Sequence, residues 1–207
     1  MKPVRVRVMP SDLPARAIVC VLFTLLSVNL LIDWIHTGHV TGLLLLTSEL
    51  AVVVFTLLRR RARIVDRSWL ATLVTTISLV GPPLLRAGGE RGLLPDAATA
   101  AISGLGLIVV VVGQITLGRS FGLVPANRGV VVAGPYTFVR HPIYTGYVIT
   151  HAAFLLAHPS WLNILVVALT DTALVVRALA EERVLSGDAM YQSYCRRVSW
   201  HLVPGVF

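Results

Sequence analysis

Charge is scarce in this chain. Asp, Glu, Lys and Arg make up 14% of its 207 residues against 56% hydrophobic ones, and the mean hydropathy is +0.79. That balance excludes both an ordinary soluble domain and a disordered tail. Acids are the rarer sign, ten Asp and Glu against eighteen Lys and Arg, for a net charge of +8. Cysteine is nearly absent as well. Cys20 lies inside an apolar run and Cys195 near the other end of the chain, so neither a disulfide framework nor a cysteine-based zinc site can be built, and no metal is assigned. No internal repeat and no low-complexity tract interrupts the sequence.

What is present is a series of long apolar runs. A helical membrane span needs about 20 mainly apolar residues, and Ala15 to Ile35, Val40 to Leu58, Trp69 to Leu85 and Ala97 to Leu117 meet that need. Two shorter runs follow, Ile143 to Ala157 and Trp161 to Val176, joined only by His158-Pro159-Ser160; they read as a tight helical hairpin. The expected fold is therefore all-α, a polytopic membrane bundle of five to six transmembrane helices with a C-terminal amphipathic helix lying at the interface. The first run follows a basic start, yet it is too long for a signal-peptide core and no small-residue cleavage site follows it, so it is expected to remain as the first span.

Basic residues give the orientation. Lys2, Arg5, Arg7 and Arg16 precede the first span, and Arg59, Arg60, Arg61, Arg63 and Arg67 follow the second. Arg119, Arg128 and Arg140 follow the fourth; Arg177, Arg183, Arg196 and Arg197 follow the sixth. These are 16 of the 18 Lys and Arg, with Arg86 and Arg91 left on the other side. Both termini and the connection after the fourth span should thus face the cytoplasm. The positive excess sits where anionic headgroups attract it, which makes membrane lipids the expected partner and excludes nucleic acid.

Two halves differ in character. Residues 1–117 are plain apolar helices, whereas residues 118–207 concentrate Gly, Pro, Tyr, His and charge, so chemistry is expected in the second half. The connection from Gly118 to Arg140 is long enough to suggest a functional loop. Within it Gly129-Val130-Val131-Val132 is β-prone and bracketed by Asn127-Arg128 and Gly134-Pro135, predicting an extended segment with free backbone groups and then a turn. Such groups can pair with a flat heterocycle such as adenine. In the tail, Met190, Tyr191, Tyr194 and Val198 recur at helical spacing before Pro204-Gly205 stops the pattern.

The densest polar motif is Arg140-His141-Pro142-Ile143-Tyr144-Thr145-Gly146, at the start of the fifth run. Pro142 suits a first helical turn. His141 is either interfacial punctuation or a donor to an anion at the positive end of the helix. Tyr136 and Tyr144 belong either to an aromatic belt or to a cation-binding site. Arg177 and Glu181, four apart, share one helix face: a helix-end ion pair, or a lipid-borne anion on Arg177 and ligand hydroxyls or an ammonium on Glu181. A short hairpin loop would return Arg177 and Glu181-Glu182 to the level of His141, which favours a site. Asp33, Glu49 and Asp171 lie in or near spans and need partners there; for Asp171 a hydrogen bond to a neighbouring helix is expected. Ala100 and Gly104 have the small-xxx-small spacing of close helix packing.

These residues resemble the isoprenylcysteine carboxyl methyltransferases, which are similar in turn to the phospholipid methyltransferases. The resemblance covers about Leu117 to Pro204, through Gly134-Pro135-Tyr136, the segment from Arg140 to Gly146, Glu181-Glu182 with Leu185, and Tyr191, Tyr194, Val198 and Pro204. It implies an integral membrane methyltransferase that uses S-adenosylmethionine at the cytosolic face. The implied cofactor residues are Arg128, Gly129, Val130, Val131, Tyr136, Arg140, His141, Pro142, Ile143, Tyr144 and Glu181, with Arg177 on the carboxylate of a lipophilic acceptor that enters from the bilayer. An amine acceptor, as in the phospholipid enzymes, would be opposed by the charge of Arg177. Sterol reductases, which use a nicotinamide cofactor, also resemble the Arg-His-Pro segment and the Tyr194-Cys195 and Pro204 tail, but the paired acids Glu181-Glu182 point to the methyltransferases. A non-enzymatic lipid-binding membrane protein is the third reading.

Overall fold

The computed structural model describes residues 13–58, 64–66, 68–88, 92–122 and 125–207. Seven α-helices follow one another: α1 (Leu13–Thr37), α2 (Val40–Leu58), α3 (Trp69–Leu84), α4 (Asp96–Leu117), α5 (Pro142–Ala157), α6 (Trp161–Leu185) and α7 (Ala189–Arg197). The only strand pairing among the described residues is a two-residue antiparallel bridge of Ile64–Val65 (β1) with Ala126–Asn127 (β2). The fold is all-helical, as the apolar runs predict. Of the basic residues used for orientation, Lys2, Arg5, Arg7, Arg59, Arg60, Arg61, Arg63, Arg67 and Arg91 lie outside the described residues, as do the side chains of Arg16, Cys20, Glu49 and Arg119.

Four of the helices start for a local reason. Ser68 accepts from the Ala71 N–H and Ser160 from the Asn163 N–H, satisfying orphan donors at the starts of α3 and α6. Asp188 does the same for α7 through the Met190 N–H. Pro142 opens α5, where its missing N–H costs nothing. Among the described residues, α4 and α6 are long and apolar enough to cross a membrane, and α3 and α5 are shorter apolar helices of 16 residues. Trp161, Leu162, Leu165 and Leu169 are exposed on α6, the outward apolar face that a lipid-facing helix carries.

The short hairpin helices pack less on each other than on their outer neighbours: α5 lies along α4, and α6 along α3. The α4–α5 crossing is set by glycine. A Cβ at Gly146 would sit 2.7 Å from the Gly106 carbonyl oxygen, one at Gly106 would sit 2.9 Å from that of Gly146, and one at Gly113 would meet Ile143 at 2.9 Å. Small residues therefore do bring helices together in α4, but the expected position is wrong: a Cβ at Gly104 meets nothing within 4 Å. Within the bundle, some polar groups pair across helices. His151 Nδ1 lies 2.6 Å from Asp171 Oδ1, joining α5 to α6 as expected for Asp171, and Gln114 Nε2 donates to the Tyr147 hydroxyl. Helix α6 runs nine residues past the predicted end of its span, so Arg177, Glu181 and Glu182 stand on one unbroken helix.

Candidate functional site

The end of α4, the start of α5 and the end of α6 meet beneath the 118–140 connection and the C-terminal tail. Arg140 and His141 are strapped to that tail by backbone bonds: their N–H groups donate to the carbonyls of Trp200 and His201 at 2.9 Å each. Thr145 adds Oγ1 to the Leu202 carbonyl at 2.7 Å. On the other side Tyr194 of α7 donates its hydroxyl to the Tyr136 carbonyl at 2.7 Å, and Asn127 Nδ2 reaches the α7 cap Asp188 at 3.4 Å. The tail is thus a wall of the site, held from both directions.

Enclosed by these elements is a partly open cavity of about 100 Å³. Its lining contains Arg128, Gly129, Val130, Val131, Tyr136, Arg140, His141, Ile143, Tyr144 and Glu181. All ten are among the residues that the family resemblance implies for the cofactor. Pro142 is buried at the first turn of α5 and does not line the cavity; it aims its neighbours. Arg177 does not line it either. It lies behind the wall, 4% exposed, with its guanidinium carbon 5.2 Å from the centre of the Tyr144 ring.

The two acids of Glu181-Glu182 face different partners. Glu181 lines the cavity, accepts from the Tyr144 hydroxyl, and lies 3.4 Å from Arg177 Nε and 3.8 Å from His141 Nδ1. Glu182 turns toward the tail: Arg140 Nη1 at 2.9 Å, His141 Nε2 at 3.1 Å and His201 Nδ1 at 2.6 Å. Arg140 also donates to the carbonyls of Val198 and Cys195. Arg140 and Glu182 therefore form a latch that closes the tail over α5, while His141, stacked at 5.4 Å and parallel on Tyr144, bridges the latch and the cavity. The latch role of Glu182 and the contribution of His201 carry no signal in the sequence beyond their polarity.

The donor side of the cavity is backbone. The segment 129–133 has no regular structure, and among the described residues the N–H and C=O of Val130 and Val131 make no hydrogen bond. The expected run at Gly129 to Val132 is no strand; the strand lies before it, at Ala126–Asn127. Gly122 is a residue that sequence reasoning missed. A Cβ there would lie 2.0 Å from Arg128 Nη1, and its carbonyl accepts from Arg177 Nη2 at 3.0 Å, so the position separates two cations. Ser78 of α3 takes the other guanidinium nitrogen at 3.3 Å. Leu117, Phe121, Leu185, Tyr191 and Tyr194 complete the apolar rim. Burial pushes the phenols of Tyr136, Tyr191 and Tyr194 well above their ordinary range, with Glu181 adding to the effect at Tyr136, so these rings present neutral hydroxyls and π faces.

One carboxylate, two guanidiniums, backbone donors and acceptors, and several aromatic faces converge here, a set suited to a zwitterionic heteroaromatic ligand that also carries a cation. Residues 100–187, which hold α4, the connection, α5 and α6, match the model of the isoprenylcysteine carboxyl methyltransferase (ICMT) family. No curated protein matches the chain.

Proposed function

We propose, from the membership of residues 100–187 in the isoprenylcysteine carboxyl methyltransferase family, that the protein is a membrane methyltransferase dependent on S-adenosylmethionine, acting on a lipophilic carboxylate. The observation that carries the reading is Glu181: a carboxylate that lines the cavity and is joined through Tyr144 and Arg177 to the interior of the bundle. In this reading five to six helices span the bilayer, and both termini and the cavity face the cytoplasm.

The residues fit the cofactor's parts. Val130 and Val131 offer unpaired backbone edges to the adenine, Glu181 offers the negative charge that an ammonium or sulfonium needs, and Arg128 can meet its carboxylate. Tyr136 gives a face that attracts a cation, by cation–π interaction. When bound, S-adenosylmethionine supplies an electrophilic methyl group that passes to the acceptor oxygen by direct displacement. The protein's share is to hold the two reactants in line and to exclude water, which the tail latch and the Leu117, Phe121 and Leu185 rim are placed to do.

Arg177 is assigned to the acceptor's carboxylate. Its Nε is buried without a well-directed hydrogen bond and its Ser78 contact is long, so an incoming anion improves its satisfaction. An acceptor reaching it from the bilayer side meets the buried face of Tyr144, opposite the water-soluble donor.

The test is transfer of label. Membranes containing the protein, supplied with methyl-labelled S-adenosylmethionine and total lipid extract, should yield organic-soluble label that mild base releases as methanol. Base-stable label would move the acceptor from a carboxylate to an amine, and its complete absence under conditions where the cofactor binds would remove the activity.

A further inference from the structure

At the opposite ends of the helices from this cavity, three turns meet. Asp33 stands in the last turns of α1, His39 in the break before α2, and His158 caps α5. One ligand-type atom from each lies within 4.8 Å of the other two. We propose that Asp33, His39 and His158 form a zinc site, separate from and independent of the methyltransferase reading.

Two observations point to an ion rather than to a chance cluster. Asp33 Oδ2 and His158 Nε2 are both buried and neither has a hydrogen-bond partner among the described residues. A buried carboxylate oxygen and a buried ring nitrogen, both without a hydrogen-bond partner, are two ligand atoms that a cation would satisfy. Two imidazoles and one carboxylate, with a fourth position open, are the ligands of a three-coordinate protein site for zinc.

The frame around the cluster is built. His158 is 2% exposed and packs on Phe154 with ring centres 4.8 Å apart. Asn163, fully buried, donates to the carbonyls of His158 and Arg86 and accepts from the Arg86 N–H. Asn29 of α1 donates to the Leu85 carbonyl, tying the helix that carries Asp33 to the same turn. His39, by contrast, is exposed and edges a cleft that His158, Thr99 and Asp96 also line, so a route for the ion and a place for a water ligand exist on that side. Asp96 itself is engaged by Thr41 and the Val40 N–H, which leaves Asp33 as the carboxylate of the set.

Coordination has one structural consequence. The Gly88 N–H donates to His158 Nδ1 at 3.1 Å, so the ring proton of neutral His158 sits on Nε2. Binding of zinc through Nε2 moves that proton to Nδ1 and releases the Gly88 N–H.

The experiment uses the full chain in detergent micelles, stripped with a chelator and titrated with Zn²⁺ by calorimetry and with Co²⁺ by visible absorption. One equivalent should bind, with the intense bands of tetrahedral cobalt, and the Gly88 amide resonance of glycine-labelled protein should shift. His39→Ala and Asp33→Asn should each weaken uptake at least tenfold, and His39→Ala should keep the wild-type melting temperature of the metal-free protein, since His39 is exposed. Absence of stoichiometric uptake by the wild type would overturn the proposal, and so would uptake by both variants as tight as that of the wild type.

Discussion

Glu181 and Glu182 are adjacent in sequence and one hundred degrees apart on α6, and the difference assigns them different work. Glu181→Ala removes the cavity's carboxylate and should weaken S-adenosylmethionine binding roughly 10- to 100-fold, the cost of a charge-assisted contact, as read by calorimetry. Arg177→Ala should leave that affinity within about twofold and abolish methyl transfer. Glu182→Ala should act on stability instead, because Arg140 and His201 lose a shared partner whose side chain is only 14% exposed. A loss of about 3 kcal/mol is expected, toward the low end for broken buried pairs, and thermal melting in detergent measures it. Gly122→Ala should displace the Arg128 guanidinium and lower cofactor affinity with little effect on melting, since the clash falls on the far end of a flexible side chain. The sequence exposed the polar residues of this site through their density around Arg140 and Glu181. It did not expose Gly122, Ser78 or His201, whose roles arise from contacts across 55, 99 and 19 positions of chain.

Helices were legible where hydrophobic length alone decides them. Starts and ends of α2, α3, α4 and α5 fall on or within one residue of the apolar runs, since caps and prolines punctuate them. Helix α6 was misjudged because a charged end looks like a span's end, although charge does not break a helix. The close crossing was misplaced for a related reason: small-residue spacing identifies α4 as a packing helix but not the face it packs with, and Gly106, not Gly104, faces Gly146. Gly146→Ala should therefore cost about 1–3 kcal/mol by forcing a Cβ against the Gly106 carbonyl, whereas Gly104→Ala should be neutral or slightly stabilising as a helix former. Paired melting curves of these two variants separate the crossing from a general intolerance of α4 to added volume. Because the same crossing aims His141 and Tyr144, Gly146→Ala should also lower cofactor affinity.

As a whole molecule, the chain sorts its chemistry to opposite ends of one bundle: a cavity where α4 ends and α5 begins, and the Asp33, His39 and His158 cluster where α1 and α5 end. That division was half legible, since the 118–207 half announced itself by composition while the cluster depends on three separate turns meeting. Orientation is tested with Cys195, a partly exposed thiol on α7. In a Cys20→Ser background a membrane-impermeant maleimide should label it in inside-out vesicles and not in right-side-out ones; the reverse pattern would invert the topology. The cavity is the proposed seat of a methyl donor. Calorimetric titration of the detergent-solubilised protein should give saturable 1:1 binding of S-adenosylmethionine and of its demethylated product, loss of both in Glu181→Ala, and no heat with NADPH. Saturable NADPH binding with no response to S-adenosylmethionine would contradict it.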